Sequence, residues 1–166
     1  MIFSFQNASF RDGDTGLYNQ AYFMEILNRE WHRLIRDKST LSILFLNPHI
    51  STSNRIDKDC FIEIAHLLQD STYRSSDIIC RFDDNFFAIG LFDLDEAGTN
   101  IIVQRIQSNI EKRIKLRSVS INLTVGATNV LPTYDIPLED IFVKTANTLK
   151  EAESQGCNAY SIHGLH

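Results

Sequence analysis

At 166 residues, with 43% hydrophobic and 22% charged side chains, the chain has the size and composition of one soluble globular domain with a substantial core. A net charge of −5 offers no general surface for nucleic acid or anionic lipid, and no run of about 18 apolar residues suggests a membrane span. The opening Met-Ile-Phe-Ser-Phe-Gln-Asn lacks the basic region and apolar core of a secretory signal, and Cys60, Cys80 and Cys157 are too few and too widely spaced for a disulfide framework or zinc site, so a reducing cytoplasm is expected.

Residues 1–11 read as a tail or linker. From Leu17 the spacing is helical, with Phe23, Ile26, Leu27, Trp31, Leu34 and Ile35 on one stripe. Lys38-Ser39-Thr40 ends that helix, and Leu41–Leu46 is an apolar run suited to a strand covered on both faces, closing in Asn47-Pro48-His49. Phe61, Ile64, Ala65 and Leu68 give the next helix a buried face that ends near Ser71. Arg74 to Phe87 is the stretch around which the rest is arranged. Asp77–Phe82 reads as a strand, Asp83-Asp84-Asn85 as a polar turn, and a second apolar strand runs on to Phe92, which together make a β-hairpin.

Asp93 with Glu96 has capping-box spacing and opens a long helix through Leu116, with Ile102, Ile106 and Ile110 inward and Arg105 at the edge of that stripe. Lys112, Arg113, Lys115 and Arg117 gather at its end, where cations complement the helix dipole. Val119, Ile121, Leu123 and Val125 alternate with polar residues, as in a half-buried strand. Pro132 and Pro137 bracket a loop, with Pro137 suited to the first turn of a helix that buries Ile141, Phe142, Thr145, Leu149 and Ala152 and ends at Gly156. Ala159–Ile162 reads as a short last strand. There is no internal repeat and no low-complexity linker, so one α/β domain is expected.

Several segments resemble the GGDEF (diguanylate cyclase) family. Asp12-Gly13-Asp14-Thr15-Gly16-Leu17-Tyr18-Asn19 is similar to the family's D-x-L-T-G-L-x-N opening, with Asp14 where leucine is usual, and residues 120–127 are similar to its T-V-S-I-G-V strand. The hairpin tip carries Asp83, Asp84, Asn85, Phe86 and Phe87 in place of G-G-D/E-E-F. The resemblance implies one degenerate GGDEF domain over residues 12–166. Its fold would be α+β, a mostly antiparallel sheet of about five strands flanked by helices, with the signature on a β-hairpin.

Diguanylate cyclase chemistry joins two GTP molecules: a ribose 3′-oxygen of one attacks the α-phosphate of the other and expels pyrophosphate. Such a site must bind two metal ions and stabilise charge building at phosphorus. The resemblance puts Asn47 where an aspartate holds metal, and a neutral amide supplies no charge against Mg²⁺. His49 stands where a second acid is usual. Asn85 and Phe86 replace the metal and catalytic carboxylates. Asp83 and Asp84 replace two glycines that let nucleotide lie close to the turn; they read as solvated turn residues or as a substitute metal pair. Glu153 and Cys157 stand where lysine and arginine grip phosphate. Asp59 aligns with a guanine-binding aspartate and Asn54 with a guanine-binding asparagine, across a segment shorter than its family counterpart. No turnover, metal or other cofactor is therefore expected.

A second site survives in register. Arg74-Ser75-Ser76-Asp77 matches the family's R-x-x-D inhibitory site, five residues separate Asp77 from Asp83, and Arg105 aligns with a helix arginine that completes that site. Guanidinium forks match the O6/N7 edge of guanine or a phosphate, and a carboxylate accepts from guanine N1–H and N2–H. These residues read either as a cyclic di-GMP site or as an ordinary surface ion network. The expectation is an inactive regulatory or receptor module in cyclic di-GMP signalling, with cyclic di-GMP and other domains of a longer signalling protein as partners, and with neither nucleic-acid binding nor membrane insertion. The alternatives are a nucleotide-independent scaffold domain and, third, GTP binding without turnover.

Overall fold

Strands and helices alternate along the chain, and two stripes of apolar side chains per strand demand cover on both faces of the sheet. In the computed structural model, residues 10–50, 54–72, 74, 76–115, 122–156 and 159–165 are described. The elements are β1 (Tyr18–Asn19), α1 (Gln20–Asp37), β2 (Leu41–Asn47), α2 (Arg55–Ser71), β3 (Ile78–Arg81), β4 (Phe87–Phe92), α3 (Glu96–Lys115), β5 (Thr124–Val130), α4 (Leu138–Glu153) and β6 (Tyr160–Leu165). The sheet has six strands in the order β1-β3-β4-β2-β5-β6. Its centre is antiparallel, as expected, while both edge pairs, β1 with β3 and β5 with β6, are parallel. The expected count of five is corrected to six because β1 is two residues long and carries no strand pattern of its own.

Alternate residues of the central strands divide the core. Leu44, Leu46, Phe87, Ile89, Leu91 and Val125 pack with α2 and α3 on one face; Ile43, Phe45, Ile78 and Ala88 pack with α1 and α4 on the other. Gly126 lies where α4 crosses β5 most closely: a Cβ there would stand 2.3 Å from the Leu149 backbone nitrogen.

Several local expectations are corrected. The α3 cap is Asp95, whose Oδ1 accepts from Gly98 N at 2.7 Å; Asp93 instead takes φ 61 and donates its N–H to Thr40 O at 2.9 Å, closing the turn out of β4. Pro137 is the residue before α4 rather than inside its first turn. The β5 strand begins at Thr124 and is buried on both faces, with polar side chains bonded inside: Thr145 Oγ1 meets Thr128 Oγ1 at 3.0 Å, and Asn129 Nδ2 donates to Ser42 Oγ at 2.7 Å. Val119 and Ile121 lie outside the described residues, as do Leu116, Arg117 and Cys157. Phe10 and Arg11, expected in the 1–11 tail, pack on the domain: the Phe10 ring lies 4.5 Å from that of Tyr22, and Arg11 bridges to Tyr18. Among the described residues, no helix is long and apolar enough to cross a membrane.

Candidate functional site

The hairpin between β3 and β4 closes on itself. Phe82 N donates to Phe86 O at 3.0 Å, and Asp83 Oδ1 accepts from the backbone N–H groups of Asn85 and Phe86 at 2.8 and 3.2 Å. A short carboxylate at a turn does this readily, and here it occupies the donors a glycine tip would offer to an anion. Phe86 turns inward. Its ring lies 5.4 Å from Phe45 and 5.3 Å from Phe82, and Phe82 lies 5.9 Å from Phe142 of α4, so an aromatic cluster fills this end of the sheet. Asp84 is exposed, and its carbonyl accepts from Arg81 Nη2 at 3.0 Å.

Asn47 ends β2 with both sides of its amide engaged. Oδ1 accepts from His49 N and Nδ2 donates to Glu153 Oε1, each at 2.9 Å. His49 itself takes φ 56, and its Nε2 meets Thr124 Oγ1 at 2.9 Å. Two positions that the sequence singled out separately, 106 residues apart, thus bond to each other. Asn54 caps α2: its Oδ1 accepts from Asp57 N at 2.9 Å and its Nδ2 donates to Asp57 Oδ2 at 2.7 Å. Asp59 is exposed one turn along the same helix. Among the described residues, no three His, Cys, Asp or Glu side chains gather as a metal-binding group.

Arg81 ties the hairpin to the segment before β1. Its Nη1 meets Asp12 Oδ1 at 3.2 Å and Asp14 Oδ2 at 2.9 Å, its guanidinium carbon lies 4.9 Å from the centre of the Phe61 ring, and Lys58 Nζ reaches Asp14 Oδ1 at 3.1 Å. The hydrogen bonds from Arg81 and then Lys58 hold the Asp14 carboxyl below its ordinary range. The aspartate at the usual leucine position is therefore an ion-pair partner and not a hole in the core.

On the far side of β3 a cavity of about 220 Å³ is lined by Arg11, Tyr18, Gln69, Thr72, Arg74, Asp77 and Ile79. Arg74 is exposed, and its charge acts on Asp77. Burial raises the Asp77 carboxyl above its ordinary value, against the lowering effects of Arg74 and of a hydrogen bond from the Phe92 backbone. Oδ1 of Asp77 is buried without a hydrogen-bond partner. Arg105 is half-buried on α3. Asn109, one turn later, donates to Ser71 Oγ at 3.0 Å, so this part of α3 passes the end of α2 just before Arg74. Ser75 lies outside the described residues.

The diguanylate cyclase, GGDEF domain family matches residues 54–159, most of the chain and all of the hairpin. The chain belongs to the GGDEF domain family. Solved structures share the fold. The GGDEF domain of FimX from Pseudomonas aeruginosa is 17% identical, with TM-score 0.76 over 95% of this chain and 99% of that one. LapD from Vibrio cholerae, an S helix-GGDEF-EAL protein bound to c-di-GMP, is 18% identical with TM-score 0.81, matching 98% of this chain but 39% of its own. The diguanylate cyclase SiaD from the same Pseudomonas species, in complex with its activator SiaC, is 18% identical with TM-score 0.80 over 97% of this chain. This chain spans 64% of SiaD, less than two thirds of it.

Within the GGDEF frame, the signature hairpin and the R-x-x-D segment lie at opposite ends of β3. Arg81, Arg11 and Tyr18 were not singled out in the sequence. For Arg81 a signal existed: a charged residue ending the apolar run Ile78-Ile79-Cys80 has to find a partner. For Arg11 and Tyr18 there was none, because their place beside Asp77 depends on the parallel β1–β3 pairing that sets Tyr18 against Cys80.

Proposed function

We propose that this GGDEF domain does not turn over GTP and serves as a regulatory or receptor module in cyclic di-GMP signalling, with cyclic di-GMP held by Arg74, Asp77 and Arg105. The observation that carries the first half is the Asn47–Glu153 hydrogen bond at 2.9 Å. At these positions the family presents a metal-binding aspartate and a phosphate-gripping lysine. Here a neutral amide and an anion satisfy each other, so the donor set offers Mg²⁺ one carboxylate fewer and a triphosphate one cation fewer. Asp83 adds a negative charge where the phosphates would lie and consumes the tip donors. This donor set does not fit a metal pair. Losing a metal-centred stabilisation of charge removes several orders of magnitude in rate, at about 1.4 kcal/mol per tenfold.

The second half is supported by Asp77. Its carboxylate borders the cavity beside Arg74, and guanine N1–H and N2–H are donors that a carboxylate there would accept. Arg74 then offers its fork to guanine O6/N7 or to a phosphate. Purified domain incubated with GTP and Mg²⁺ should form no cyclic di-GMP; any sustained product overturns the inactive reading. In calorimetric titration, cyclic di-GMP should bind saturably and Arg74→Ala should abolish that binding. No heat with the wild type removes the receptor reading and leaves the scaffold alternative.

A further inference from the structure

The cavity beside Asp77 contains a second arginine that the R-x-x-D motif does not include. Arg11 places its guanidinium carbon 4.2 Å from the centre of the Tyr18 ring, and its Nη1 donates to Gly16 O at 3.2 Å. That carbonyl is itself fixed. Gly16 sits at φ 75, a region glycine enters without strain, and the turn is closed by Asp12 N to Leu17 O at 2.7 Å and Gly16 N to Asp12 O at 2.9 Å. Tyr18 is held in turn by β1–β3 pairing and by Tyr22, whose ring lies 4.9 Å away. A flexible surface arginine would lose several rotatable bonds on binding; this one is already arranged.

We propose that Arg11, stacked on Tyr18, is a ligand-contacting residue of the Arg74–Asp77 site, presenting a planar cation on which a guanine of the cyclic dinucleotide stacks. This rests on the receptor reading above. The chemistry is that of base recognition generally: purines stack on aromatic rings and on guanidinium planes, and arginine is weakly enough hydrated to do so. The ligand has what the cavity needs on each side. Its Watson–Crick edge would donate to the Asp77 carboxylate, its phosphates would meet two positive charges, and a base would cover the Arg11–Tyr18 pair. An arginine and a carboxylate alone would suit many anions; the stacked pair selects for one that carries a purine.

Calorimetric titration of cyclic di-GMP into wild type, Arg74→Ala, Arg11→Ala, Arg11→Lys and Tyr18→Phe tests this, with melting temperatures measured alongside. Arg11→Ala should weaken binding about tenfold, the scale of one lost base stack. Arg11→Lys keeps the charge without the plane and should recover only part of it, while Tyr18→Phe, which keeps the ring beneath the guanidinium, should bind more tightly than Arg11→Ala. If Arg74→Ala abolishes binding but Arg11→Ala binds as wild type, this inference fails and the receptor reading stands. If Arg11→Lys equals wild type, the stacking role is wrong. If the wild type does not bind, the receptor reading fails first and takes this inference with it. A merely structural Arg11 would lower the melting temperature of the alanine variant without changing affinity in the folded protein.

Discussion

The two ends of β3 have been treated in opposite ways. At the hairpin end, polar groups answer one another: Asn47 with Glu153, Asp83 with the tip amides, Arg81 with Asp12, Asp14 and the Asp84 carbonyl. At the other end, Asp77 keeps a buried oxygen without a donor on the wall of a cavity that two arginines share. The described residues hold only two other such orphan atoms, Arg81 Nε and Asn129 Oδ1, and both belong to side chains whose remaining polar atoms are bonded within the protein. A group closed by internal bonds has no need of a ligand, whereas a carboxylate bordering a cavity between two arginines can still receive one. On the function proposed above, the same strand carries a site that has folded shut and a site left open.

The strongest way to break the closed end is Gly126→Ala. A methyl group at 2.3 Å from the Leu149 nitrogen and 2.5 Å from its Cα meets backbone that cannot rotate away, so α4 must shift, and α4 carries Glu153. The expected loss is about 4 kcal/mol of unfolding free energy, read as a fall in the urea midpoint. Cyclic di-GMP affinity of the remaining folded fraction should be unchanged, because β5 and α4 lie away from the β1–β3 edge.

Arg81→Ala should cost about 3 kcal/mol, since it removes a cation only 10% exposed that pairs with both Asp12 and Asp14, leaving Asp12 with its Thr15 bonds alone. Unlike the first change it should disturb both ends, because Arg81 holds the tip through Asp84 and holds the turn that carries Arg11. Part of the effect depends on pH. Asp14 is depressed in the folded state by Arg81 and then Lys58, so its contribution is present above the unfolded carboxylate range and lost as pH falls through the folded value. The stability difference between wild type and Arg81→Ala should therefore narrow on acidification, measured by thermal melts between pH 7 and pH 3.

How much of this was visible in the chain depends on the range of the interaction. The hairpin was legible because an Asp-Asp-Asn cluster between apolar runs is a local instruction. So was the register of Arg74 and Asp77 against the tip. The mispredicted β5 shows the limit: alternation at residues 119–125 suggested one wet face, yet Thr124, Thr128 and Asn129 are fully buried, Thr124 meeting the His49 ring and the other two finding hydroxyl and carbonyl partners on β2, α4 and the loop before α3. Polar residues in sequence do not report whether a distant partner is waiting. For the same reason Asn47 and Glu153 could each be marked as unusual but not as a pair, and Phe86 could be marked as a lost carboxylate but not as part of an aromatic cluster with Phe45, Phe82 and Phe142.

Asn47→Asp sharpens the comparison at smaller amplitude. It brings two carboxylates together where the amide now donates, and should cost about 1 kcal/mol, recovered when Glu153→Lys is added; a non-zero coupling in this double-mutant cycle reports that the two positions are in contact. The pair restores two family charges at once. The double variant should still form no cyclic di-GMP, because Asn85 and Phe86 are untouched.

The smallest expected change in stability is at the Asp77 end. Burial raises the Asp77 carboxyl in the folded protein, so the ionised form is disfavoured there relative to the unfolded chain. The stability this group allows is fully present below its unfolded value and declines as pH rises through the folded one. Asp77→Asn removes that penalty, so the variant should melt slightly above wild type at pH 7 and match it near pH 3. Ligand affinity should move the other way. The amide has one acceptor and a misplaced pair of donors, so cyclic di-GMP binding should drop at least tenfold, and wild-type binding should weaken as pH falls through the raised carboxyl value. A residue whose replacement stabilises the empty protein and weakens the complex is one retained for its ligand, and an Asp77→Asn variant that is both less stable and equally able to bind would mark Asp77 as structural instead.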